Sequence, residues 1–110
     1  MAFLQATLIK FKDNTDQSQI TLLSEGLKSI SNVVPGIIKF EFGPDLKIEE
    51  RSMDFGLIIV FENQSAWEQY RAHPKHIEFG AKAMKIIERI ERVQIRRCCQ
   101  TNEPKHQLLG

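Results

Sequence analysis

The chain has 110 residues, 42% of them hydrophobic, and 15 Lys and Arg stand against 14 Asp and Glu for a formal net charge of +1. That length makes one domain, able to bury roughly two-thirds of its unfolded surface and so to fold without disulfides or a structural metal. The balanced charge supplies no global field toward nucleic acid or a membrane surface, and no apolar run reaches the roughly 20 residues of a membrane span.

Met1-Ala2-Phe3-Leu4-Gln5 has no basic stretch followed by a long apolar one, so a cytoplasmic location is expected. From Phe3 to Lys12 the chain reads as a strand with Leu4, Ala6 and Leu8 on one face and Phe3, Ile9 and Phe11 on the other. Both faces ask for cover. Gln5 and Thr7 interrupt the odd-numbered face with polar groups, which suits either a partly wet cavity or a strand end near solvent. Asp13-Asn14-Thr15-Asp16 is a turn and cap cluster, after which Ile20, Leu23, Leu27 and Ile30 recur at helical spacing. Pro35-Gly36 ends that helix.

Ile37 to Phe42 is a second strand, predicted with Ile38, Phe40 and Phe42 on one face, and Gly43-Pro44-Asp45 closes it. Leu46 to Asp54 is charged and irregular, an exposed loop. Phe55 to Phe61 is the strongest strand, with Phe55, Leu57, Ile59 and Phe61 on one face and Ile58 and Val60 on the other. A strand apolar on both sides belongs in the middle of a covered sheet.

Ser65-Ala66-Trp67-Glu68 has the spacing of a capping box, so a helix is predicted to start at Ser65 and to carry Trp67 and Tyr70. His73 before Pro74 makes a corner, and Pro74 restarts a second helix, predicted to run to about Ile90 on the stripe Ile77, Phe79, Ala83, Ile86, Ile87 and Ile90. Glu91 to Cys99 is the last predicted strand, with Val93 and Ile95 on one face and Arg92, Gln94 and Arg96 on the other. The cluster Arg89, Arg92, Arg96 and Arg97 is interrupted by Glu88 and Glu91 and has no aromatic interleaving, so it reads as a solvated edge rather than a nucleic-acid site. Cys98 and Cys99 are adjacent, which strains any bridge between them, and they lack C-x-x-C spacing; two free thiols are expected. Residues 1–99 are the expected domain, and 100–110, with His106, the expected flexible tail.

The order strand, helix, strand, strand, helix, strand is the ferredoxin-like α+β pattern, two helices on one face of a four-stranded antiparallel sheet. Its other face remains bare and apolar, so a second copy is expected to pack sheet to sheet. Two twisted sheets meeting this way curl into a barrel, whose apolar lumen suits a small apolar or aromatic ligand.

Chemistry concentrates in Tyr70-Arg71-Ala72-His73-Pro74-Lys75-His76, which holds the single Tyr and two of the three His. The first turn of the second helix faces His76 with backbone N–H groups and the positive end of the macrodipole, which disfavours imidazolium. A neutral imidazole near a phenol is a candidate general base. The same corner can equally serve only for capping and packing. His73, His76 and Glu78 fall within one helix turn, too sparse a set to define a metal site. There is no P-loop or dinucleotide fingerprint, and no cofactor is expected.

Lys10-Phe11-Lys12, Val34-Pro35-Gly36-Ile37, Phe40-Glu41-Phe42-Gly43, Asp54-Phe55-Gly56 leading to Phe61-Glu62, and above all Tyr70-x-x-His73-Pro74-x-His76 resemble, in this order, the stress-responsive A/B barrel domain family from Leu4 to about Arg96. That resemblance implies a homodimeric α+β barrel. It also implies, by analogy with a cofactor-free plant cyclase of the family that closes a linear polyketide by aldol chemistry, that His76 acts as base and Tyr70 holds and polarises an oxygen. That cyclase carries His at the positions matching Gln5 and Phe55. Gln5, Thr7, Phe55, Leu57 and His73 are the expected substrate-binding positions. The resulting expectation is a cofactor-independent lyase, cyclase or isomerase on a small carbonyl or aromatic compound. The alternatives are a non-catalytic dimeric stress or ligand-binding protein and, third, a cofactor-free monooxygenase-like enzyme.

Overall fold

The structure, a computed structural model, describes residues 1–96. Cys98, Cys99 and the expected tail lie outside the described residues. The elements are β1 (Phe3–Phe11), α1 (Gln17–Val33), β2 (Ile37–Pro44), β3 (Phe55–Phe61), α2 (Gln64–Ala72), α3 (Pro74–Ala83) and β4 (Ile87–Arg96). All neighbouring strands are antiparallel, in the order β2-β3-β1-β4. This is the ferredoxin-like α+β fold, with its second helix broken into α2 and α3. Among the described residues no helix is long and apolar enough to cross a membrane.

α1 starts where its cap chemistry dictates. The Asp16 carboxylate accepts from the Gln19 amide at 3.0 Å while the Gln19 side chain accepts from the Asp16 amide at 2.9 Å, a complete capping box. Leu23, Leu27 and Ile30 form its buried stripe and pack on Ile9, Phe55, Leu57, Ile59 and Phe61 of the sheet. The core therefore lies between the helices and the odd-numbered faces of β1 and β3. Gly36 makes the turn into β2 at φ 82°, and a Cβ there would meet the Ala66 Cβ at 2.5 Å, so α2 can approach only a glycine.

Three expectations are corrected. In β2, Ile37 pairs with Phe61 but Lys39 with Val60. Ile38 is thus the extra residue of a bulge and stands exposed, while Ile37, Phe40 and Phe42 share the helix-facing side. The bulge shifts the alternation by one residue. The cap of α2 is Asn63, whose Oδ1 accepts from the Ala66 amide at 2.9 Å. Ser65 sits inside the helix because an equally good cap precedes it. α3 stops at Ala83, and Ile87 and Ile90 belong to β4. Ladder bonds along nearly all of β1, with Ile87 opposite Phe11, outweigh a helical period whose last members are β-branched. The 45–54 loop is largely exposed, as expected, and is pinned at the Phe55 end of the sheet. The Asp54 carboxylate accepts from the Phe11 amide at 2.9 Å and from Lys47 at 2.7 Å.

The opposite face of the sheet carries no helix. Leu4, Ala6 and Leu8 of β1 pair in register with Val60, Ile58 and Gly56 of β3 and with Ile95, Val93 and Glu91 of β4. Leu8, Ile58, Val93 and Ile95 are exposed there, Val93 to 54% and Ile95 to 52%.

Candidate active site

The helices rest closest to β2 and β3, and toward β4 the layer parts. A cleft of about 440 Å³ opens there between β1 and β4 on one side and α1, α2 and α3 on the other. It lies within a single chain, on the helix side of the sheet, whereas the expected lumen would lie between the sheets of two copies. The reason is the composition of that side of β4: Arg92 and Gln94 stand where apolar residues would have drawn the helices down.

Tyr70 lies in the last turn of α2 and is 4% exposed. Its ring meets Phe61 at 5.3 Å between centroids and His76 at 4.4 Å. The corner between them is built by His73. Its backbone is extended, as the residue before proline should be, and its Nδ1 accepts from the Lys75 amide at 3.0 Å. His73 therefore caps α3 and does not line the cleft. Pro74 sits in the first turn of α3, and the helix it restarts returns His76 to Tyr70.

Gln5 and Thr7 are 5% and 3% exposed, the buried polar residues of β1. Gln5 Oε1 accepts from Trp67 Nε1 at 3.2 Å and from Gln94 Nε2 at 2.8 Å. It joins α2 to β4 across β1, and its side-chain oxygen is satisfied by protein. Leu57 lines the cleft beside Thr7, with which it pairs. Phe55 does not. It lies at the far end of β3 between Phe11 and Phe42, 6.0 and 6.2 Å away between ring centroids, as part of the core. Of the expected site residues the structure brings together Gln5, Thr7, Leu57, Tyr70 and His76, and places Phe55 and His73 elsewhere.

Among the wall residues that were not expected, four carry polar groups. Trp67 and Arg71 come from α2, the Arg71 guanidinium 4.9 Å from the Trp67 ring centroid. Arg92 and Gln94 come from β4, where the register sets them opposite Thr7 and Gln5. The alternation of β4 put both on one face, but only the pairing with β1 shows which layer that face meets: Arg92 is exposed on an edge strand, as expected, and also stands at the cleft wall.

Burial drives the electrostatics. It pushes the Tyr70 phenol up to about 12, against the opposing charge of Arg92. It also holds His76 below its usual range. The Arg71 carbonyl works against that shift, and the charges of Arg92 and Arg71 add to it. His76 is thus neutral at pH 7, through desolvation and two guanidinium groups. An unprotonated imidazole against a protonated phenol can take a proton from one atom of a ligand while a hydrogen bond is donated to another.

Residues 5–95 match the family described as Stress responsive A/B Barrel Domain. The chain is similar to the stress-response A/B barrel domain-containing protein HS1 of Arabidopsis thaliana, 28% identical over 85 residues that make up 76% of this chain and 78% of that one. Among solved structures, a dimeric ferredoxin-like protein of unknown function from Thermobifida fusca superposes with a TM-score of 0.82 at 20% identity, covering 86% of this chain and 90% of that one. The hydroxynitrile lyase of Passiflora edulis superposes with a TM-score of 0.77 at 15% identity, covering 89% and 96%. At such identities these two likenesses show the fold, whereas the sequence match spans most of the chain. The protein belongs to the stress-responsive A/B barrel domain family.

Proposed function

We propose that this protein is a homodimeric, cofactor-independent acid–base enzyme, a lyase, cyclase or isomerase acting on a small carbonyl or aromatic compound. The observation that carries this reading is the 4.4 Å contact between the Tyr70 and His76 rings at the wall of a ligand-sized cleft. His76 removes the proton from a carbon next to a carbonyl. The C–H electrons pass to the carbonyl oxygen, and Tyr70 donates a hydrogen bond to the enolate that forms. Leu23, Leu27, Leu57 and Phe79 take the apolar body of the substrate. Proton transfer and oxygen polarisation need only these side chains. A lyase among proteins of the same fold is consistent with such chemistry, although fold alone does not decide it.

Dimerisation by the bare sheet face fits the same reading. Packing a second copy there covers Leu8, Ile58, Val93 and Ile95 and leaves the cleft open on the helix side. We place the dimer in the cytoplasm, with no nucleic-acid or membrane partner.

The test is solvent-deuterium exchange at the α carbon of a panel of small ketones and aryl ketones, followed by NMR. The wild type should accelerate exchange of at least one compound, and His76→Ala should slow it by roughly 10²- to 10⁴-fold with little change in melting temperature. No acceleration by the wild type, together with a His76→Ala variant destabilised by about 1–3 kcal/mol, would favour the alternative: a ligand-binding protein in which the corner braces the helices.

A further inference from the structure

The cleft has a charge imbalance that proton transfer does not use. Its walls hold two guanidinium groups, Arg71 and Arg92, and among the described residues no Asp or Glu lines them. Arg71 is engaged with the Trp67 ring. Arg92 is different. It projects from β4 on the helix-facing side, opposite Thr7, and is exposed at the cleft mouth. Among the described residues no carboxylate lies within ion-pair distance of it, whereas the nearby Arg89 pairs with Glu91 at 3.4 Å. The electrostatic influence of Arg92 reaches both Tyr70 and His76, so it stands close to the atoms that would do the chemistry. Packing a second copy on the opposite face of the sheet would not cover it.

We propose that the cleft takes a small carboxylate-bearing molecule with an apolar or aromatic body, its carboxylate held by Arg92 and its body against Leu23, Leu27, Leu57 and Phe79. Arg92 is then the specificity-determining residue. Its planar fork matches a carboxylate through two parallel hydrogen bonds, and the fixed anchor sets which carbon of the ligand meets His76. The choice of that carbon rests on the acid–base reading; the anion preference does not.

The full-length protein should be titrated with hydrocinnamate and with its neutral isostere hydrocinnamide. Trp67, the single tryptophan of the chain, lines the cleft, and its fluorescence reports occupancy. The acid should bind roughly tenfold or more tightly than the amide, as charge-assisted pairing implies, and added salt should weaken the acid alone. Arg92→Gln should erase the preference and Arg92→Lys should keep part of it. Equal binding of acid and amide to the wild type, a preference that persists in Arg92→Gln, or no response of Trp67 to either compound would overturn the proposal. Deuterium exchange that depends on His76 and survives such a result would leave the acid–base reading standing. An acid preference that depends on Arg92, with exchange indifferent to His76→Ala, would do the reverse.

Discussion

The rings of Tyr70 and His76 lie with centroids 4.4 Å apart and planes inclined by 51°, although they belong to different helices. The contact exists because His73 ends α2 in an extended conformation and caps α3 with its own Nδ1. An uninterrupted helix would carry these two residues apart, since neighbours on one face recur at spacings of three and four.

His76 should titrate below the unperturbed value of about 6.5 in an NMR experiment on its ring, assigned with His76→Gln. A histidine whose folded pKa is depressed binds fewer protons when folded than when unfolded. Its contribution to stability is therefore complete above the unfolded pKa and is lost as pH falls through that window toward the folded value. Urea titrations of wild type and His76→Gln should diverge in their pH dependence there, with the variant flatter. Exchange activity should rise with pH through the His76 transition and show no second transition near neutrality, because Tyr70 is pushed up to about 12.

Tyr70→Phe and Tyr70→Ala should separate the hydroxyl from the ring. The ring is packed on Phe61 and His76 and is 4% exposed, so the alanine variant should lose about 3–5 kcal/mol. The phenylalanine variant should keep nearly all of its melting temperature while exchange falls by roughly 10²- to 10³-fold. Unchanged exchange in Tyr70→Phe would remove the phenol from the mechanism.

Asp54 should act as an acid-sensitive pin at the other end of the sheet. Partial burial works against its ionisation, but the Lys47 hydrogen bond, the Phe11 amide and the charges of Lys47 and Lys10 outweigh it and hold the carboxyl below its usual range. For a depressed carboxylate the stabilisation is present above the unfolded pKa and is lost as pH falls through the folded one. Asp54→Ala should cost about 1–3 kcal/mol at pH 7 by leaving the Phe11 amide unpaired, measured by urea denaturation. The gap between wild type and variant should narrow below about pH 3.9.

Gly36→Ala should be destabilising by more than about 1 kcal/mol, because the residue has φ 82° and the new Cβ would lie 2.5 Å from that of Ala66. Thermal unfolding checks this, and a neutral result would mean that the β2 entry turn can relax.

Val93→Glu should convert the dimer to a monomer by placing a charge on the bare face, where Val93 is 54% exposed and pairs with Ala6. Light scattering at micromolar concentration should give twice the chain mass for wild type and the chain mass for the variant. A monomeric wild type would sink sheet-to-sheet association.

Much of this protein was written in local patterns. The α1 stripe, the Pro35-Gly36 break, the doubly apolar β3 and the His73-Pro74 corner each follow from short-range sterics and periodicity, which is why the order of elements and the pairing of Tyr70 with His76 were legible. The Asn63 cap and the end of α3 at Ala83 were not, because two signals competed and the contacts made elsewhere chose between them. The site divides the same way. Gln5, Thr7 and Leu57 lie on strand faces whose alternation names them, whereas Phe55 shares a face with Leu57 but packs between Phe11 and Phe42 in the core, a difference that a period of two does not encode. Arg92 and Gln94 became wall residues only through the register of β4 on β1, and the cleft exists only because the helix layer parts above them. Periodicity assigns a residue to a face. Only the packed structure decides what that face meets, because register and layer contacts are set by long-range burial and not by neighbours in the chain.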